Sequence, residues 1–178
     1  MVFTPAVLAD VDAVLMYHRD NVAEAEEREA LLGFLSNGGG VVVLHHAIAN
    51  YPDWQEWWRD HLGGLYALSD SEDLVPSRYF PEFRGVARPT SDHPITRRIG
   101  SFWRYADESY EQLWISDEVI TLLATTAFGS DSRIAWIGPS DSGRVVFIQP
   151  GHFEDVLTDP KYLMLIEDAL RWTARISD

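Results

Sequence analysis

The chain has 178 residues, 46% of them apolar, no cysteine, and 28 Asp+Glu against 14 Lys+Arg for a formal net charge of −14. Those proportions predict one globular domain over residues 1–178 and exclude disulfides, thiolate metal sites and a cysteine nucleophile. An acidic field of this size repels phosphate backbones and anionic lipid, so neither nucleic acid nor a membrane is an expected partner.

Residues 1–20 carry Asp10 and Asp12 and lack a basic start followed by an apolar stretch, so no signal peptide is legible. No apolar run approaches the ~20 residues that cross a bilayer. A cytoplasmic location is the expectation. Residues 11–17 are a short apolar run that predicts a buried strand. A polar loop follows, then an amphipathic helix over 22–36, with Asn21 as N-cap and Leu31, Leu32, Phe34 and Leu35 on its buried side. The glycines at 38–40 stop it, and 41–44 (VVVL) reads as a fully buried parallel strand. Together these form a βαβ unit.

Residues 52–62 predict a short helix opened by Pro52 and closed by Gly63 and Gly64. The polar, proline-punctuated segment 65–81 predicts a surface insertion or lid. Strands are expected at 83–88, 102–105, 119–125, 133–137 and 144–148, with a hairpin turn at 138–143. A helix over 159–175 closes the chain, with Leu163, Ile166, Leu170 and Trp172 turned inward.

Ligands of open α/β sheets bind beyond the carboxyl ends of the strands. His18, the pair His45-His46, the acids Asp107 and Glu108 with Tyr110, and the run His152-Phe153-Glu154 all stand at such ends. Each has a plain structural counterpart: a lone histidine is commonly a satisfied polar group, paired loop acids are commonly solvated, and Trp54, Trp57 and Trp58 at helical spacing are commonly core. Their alignment at one end of one sheet is what points to a site. The Gly38–Gly40 run precedes a strand, whereas a phosphate-cradling loop follows one, which disfavours a nucleotide or flavin.

The run 38–45 (GGGVVVLH), with Trp57, Gly63-Gly64, residues 93–96 (HPIT), 107–110 (DESY), 143–145 (GRV) and Gly151-His152, resembles the ThuA-like (trehalose-utilisation) family. That resemblance implies a class I glutamine amidotransferase-like, flavodoxin-like α/β fold: a mostly parallel sheet with helices on both faces. It also implies that this chain lacks the family's first βα unit, whether as a truncated product, a divergent member or a subunit whose open strand edge is covered in a homo-oligomer. In amidotransferases the glycine-rich turn and strand lead to an elbow cysteine, and a late His-x-Glu completes the set. Here His45 takes the elbow and His152 and Glu154 keep the late pattern, so glutamine hydrolysis through a thioester is not available.

The resemblance implies carbohydrate catabolism, on a disaccharide or a 3-keto-glycoside. On that reading His45 and His152 serve as base and acid, and Asp107 or Glu108 orients an imidazole or shares a divalent metal with the histidines. His18, His46, Trp54, Tyr110 and Glu154 would hold the sugar. Zinc, manganese or iron would suit such ligands, although no compact motif assigns a metal or any other cofactor. The alternative is a non-catalytic carbohydrate-binding or scaffold domain on the same fold.

Overall fold

The structure is a computed structural model that describes residues 3–71 and 74–176. The apolar run after the glycine turn becomes β2 (Gly40–Leu44), every residue of it buried. It pairs in parallel with β1 (Ala13–Met16) on one side and with β9 (Arg144–Ile148) on the other. β1 and β2 are joined through α2 (Ala25–Ser36), as the βαβ reading expects. A short α1 (Pro5–Leu8), capped by Thr4 Oγ1 accepting from the Val7 amide, precedes them.

The rest of the sheet corrects the expectation of a mostly parallel arrangement. Beyond β9 the order continues through β8 (Arg133–Ile137), β7 (Ile120–Ala124), β4 (Arg78–Pro89) and β5 (Trp103–Glu111), and each of these pairings is antiparallel. The sheet is therefore mixed, with three parallel strands among seven in the described residues. The cause is connection length. The links between β4 and β5, β7 and β8, and β8 and β9 carry no crossover helix of the kind a parallel return needs. A separate two-stranded ribbon joins β3 (Gly64–Leu65) to β6 (Trp114–Ile115).

Helices do cover both faces of the parallel part. Val41, Val43, Val145 and Phe147 share one core with Leu31 and Leu35 of α2 and with Trp57. Val42, Leu44, Val146 and Ile148 share the other with Leu165 and Ala169 of α4 (Pro160–Thr173). The alternation is that of a strand whose successive side chains point to opposite faces.

Four local expectations are corrected. Helix α2 begins at Ala25 rather than 22, because Glu27 reaches back to accept from the Glu24 amide at 3.3 Å and sets the cap there. Pro52 lies in a turn, and the following helix is a π-helical turn over Trp57–Leu62 ended by Gly63 at φ 73. α4 buries Tyr162, Leu165, Ala169 and Thr173, while Leu163 is exposed. Apolar residues fill positions 162–166 without a break, so periodicity alone permits either stripe. The close approach of Thr173 to Gly40 selects the observed one. Finally, β5 runs to Glu111, so Asp107, Glu108 and Tyr110 lie within a strand rather than after one. α3 (Glu154–Leu157) is a single turn between β9 and α4.

Candidate functional site

β2 ends at Leu44, and the chain turns at once into a 3-10 helix over His45–Ala49. His45 makes that turn with φ 47, a left-handed conformation uncommon for a non-glycine residue. Its ring is fully buried. Nδ1 donates to the Gln149 carbonyl at 2.8 Å, which leaves Nε2 facing three groups. These are the Tyr110 hydroxyl at 2.8 Å, His152 Nδ1 at 3.1 Å and Glu108 Oε1 at 3.4 Å. Glu108 Oε1 also lies 4.0 Å from His152 Nδ1.

Alternation along β5 sends Asp107 to one side and Glu108 and Tyr110 to the other. Asp107 is itself buried and grips three successive backbone amides. Gly151 N donates to Oδ2 at 2.6 Å, Phe153 N to Oδ1 at 2.9 Å, and His152 N to Oδ1 at 3.1 Å. The Tyr17 hydroxyl donates to the Gly151 carbonyl at 2.6 Å. Gly151 sits at φ 138 against the Tyr162 hydroxyl, where a Cβ has no room. The loop that presents His152 is thus held through its backbone from three directions.

Electrostatics follow from burial and these partners. Burial pushes the Glu108 carboxyl up, but the hydrogen bond and charge from His45, with His152 and Tyr110, outweigh it and hold the group below its ordinary range. Burial, then the neighbouring Glu108, pushes the Tyr110 hydroxyl far up, so it remains a neutral donor. Burial followed by the charge of His45 lowers His46. Glu108, Tyr110 and His46 line one cavity of about 180 Å3 with Arg19, Tyr66 and Tyr79.

The sequence-expected residues divide accordingly. His45, His152, Glu108 and Tyr110 converge. His46 lines the same cavity and donates from Nε2 to the Tyr17 carbonyl at 3.1 Å. Asp107 does not orient an imidazole: it binds the backbone under His152. His18 turns away to the Tyr51 hydroxyl, 2.9 Å from its Nε2. Trp54 is buried in the first core, stacked on Trp57 with ring centroids 5.8 Å apart, and so does not offer a sugar platform. Glu154 is exposed at the start of α3, and the acid that meets the two imidazoles is Glu108 instead. Sequence reasoning missed the Tyr17 hydroxyl, which holds the Gly151 carbonyl, and the Gln149 carbonyl, which accepts from His45. It also missed Tyr66 and Tyr79, which come from the segment read only as an insertion or lid.

A family model described as ThuA, trehalose utilisation, matches residues 1–173. The chain belongs to this ThuA family. Among solved structures it is similar to a ThuA-like protein from Parabacteroides merdae, with 18% identity and a TM-score of 0.76, covering 94% of this chain and 71% of that one. It is also similar to a ThuA-like protein from Bacteroides uniformis, with 21% identity and a TM-score of 0.71, covering 96% and 72%. A cytoplasmic protein from Salmonella typhimurium matches at 14% identity and a TM-score of 0.68, covering 97% and 76%. No curated protein sequence matches. Within this ThuA-family chain His45 stands on a left-handed strand-to-helix turn at the end of β2.

Proposed function

We propose that this ThuA-family chain is a carbohydrate-catabolism enzyme acting on a disaccharide or 3-keto-glycoside by acid/base chemistry. The observation that carries the reading is the convergence of two imidazoles, a carboxylate and a phenol, the last two of which line one cavity. A ketone at C3 of a sugar acidifies the C2 proton. A base removes that proton, a donor stabilises the developing oxyanion, and an acid protonates the C1 oxygen as it leaves.

Glu108, held ionised and lining the cavity, suits the base. His45 has no exposed surface, so the base role expected for it passes to Glu108, with His45 behind it. The neutral Tyr110 hydroxyl suits the oxyanion donor, and the half-exposed His152 the acid. The cavity is smaller than the roughly 300–1,000 Å3 of drug-sized pockets, which favours one ring seated in it with the second group outside. No helix among the described residues is long and apolar enough to cross a membrane, and a cytoplasmic location is part of the proposal.

The test is to incubate the protein with a panel of disaccharides and their 3-keto derivatives, following products by NMR and binding by calorimetry. Turnover of a keto-glycoside, reduced at least ~100-fold in Glu108→Gln and in His152→Ala, is the expected result. Binding without conversion would replace the enzyme with a carbohydrate-binding module. Neither binding nor conversion across the panel would remove sugars from the reading.

A further inference from the structure

We infer that His45, His152 and Glu108 bind one divalent transition-metal ion. The argument begins with a proton. The Gln149 carbonyl can only accept, so the 2.8 Å contact places the His45 hydrogen on Nδ1 and leaves a bare lone pair on Nε2. That lone pair lies 3.4 Å from a carboxylate oxygen of Glu108 and 3.1 Å from His152 Nδ1. Tyr110 has a single O–H to donate, and both His45 Nε2 and Glu108 compete for it. With the His152 hydrogen on Nε2, the acceptors His45 Nε2, His152 Nδ1 and Glu108 Oε1 share the one Tyr110 hydrogen, which is costly around a buried ring unless something positive sits between them.

The spacing suits an ion. Bonds of about 2.0–2.2 Å to nitrogen and oxygen put tetrahedral ligand atoms roughly 3.3–3.6 Å apart. The three separations here, 3.1, 3.4 and 4.0 Å, bracket that range. The ligands are also held from behind. The Gln149 carbonyl fixes the His45 tautomer, and Asp107 fixes the loop beneath His152. Two imidazoles and one carboxylate select zinc, iron, cobalt or manganese over magnesium and calcium, which prefer all-oxygen shells. Three protein ligands leave a position open, and Glu108 and Tyr110 place it beside the cavity.

This inference stands apart from the sugar reading. An ion there would polarise a carbonyl oxygen of whatever ligand fills the cavity, and Glu108 would coordinate through Oε1, leaving Oε2 for the proton.

The experiment strips the purified full chain with chelator and titrates it with Co2+ and then Zn2+, reading stoichiometry by elemental analysis and the site by cobalt visible absorption. One equivalent per chain is expected, with d–d bands that zinc displaces. His152→Ala and Glu108→Gln should each weaken cobalt binding at least tenfold while circular dichroism stays unchanged, and His93→Ala, outside the cluster, should leave it unaltered. His152 is half exposed, so its removal tests the site even where His45→Ala fails to fold. Absence of stoichiometric binding by the wild-type chain, or binding indifferent to both variants, overturns the inference. Metal binding without sugar turnover would leave the ion standing and the sugar reading fallen; turnover by a chain that binds no metal would do the reverse.

Discussion

His45 shows how one side chain can be held against its own backbone preference. A left-handed conformation costs a non-glycine residue about 1–2 kcal/mol, and the turn from β2 into the 3-10 helix imposes it. Replacing His45 by Gly should therefore give a melting temperature above that of His45→Ala, by the equivalent of about 1 kcal/mol, with turnover lost in both. Equal melting points would mean that the turn is not strained. Asp107 acts on the backbone. Removing it in Asp107→Ala strands three amides, two of them reaching a single oxygen, and should cost about 3–5 kcal/mol in a urea denaturation series. Asp107→Asn should fall between, because its NH2 end cannot accept. Both acids of the pair were legible as candidates from their adjacency. Which one faces the imidazoles was not, because that depends on where β5 ends.

Among the elements, the contact of α4 with β2 sets which helix stripe is buried. A Cβ on Gly40 would lie 2.5 Å from the Thr173 backbone, and backbone cannot swing aside. Gly40→Ala should thus push α4 off the sheet and lower stability by about 1–3 kcal/mol. Gly33, within α2, has open space where its Cβ would stand. Gly33→Ala should raise stability by about 0.5–1 kcal/mol, through helix propensity and a less free unfolded chain. Thermal melts of the pair check both signs. The elements themselves were largely legible: β2, β8 and β9 match their apolar runs within a residue, and Asp159 caps α4 as its side chain accepts from the Lys161 amide. The sheet's direction was not. A β-branched run reads alike in parallel and antiparallel pairing, and the choice follows from how the chain returns.

The whole molecule titrates through partly buried imidazoles set in an acidic envelope. His18, His46, His61 and His93 are all lowered from 6.5, burial being the leading cause for each. The unfolded chain then binds protons more readily than the folded one. Their contribution is fully present above pH 6.5 and is lost as pH falls below it toward the lowered folded values. The net charge of −14 acts in the opposite sense, since protonating acids relieves self-repulsion. At about 0.5 M salt, where charge repulsion is screened within a few Å, the melting temperature should be level above pH 7 and decline between pH 6.5 and 5. A flat profile would show that these rings stay solvated.

Composition and local periodicity alone determine the α/β class, most of the longer strands and helices, the lack of any thiol chemistry and the short list of histidines and acids at issue. Those properties depend on neighbours within a few residues, and the chain displays them directly. Tertiary structure decided the mixed sheet, the inward stripe of α4, the withdrawal of Trp54 and Glu154, and the division of labour between Asp107 and Glu108. The contacts of His45 with Tyr110, Gln149 and His152 span 65, 104 and 107 residues of sequence. Nothing local encodes separations of that length; they arise only when β2, β5 and β9 are brought together in one sheet.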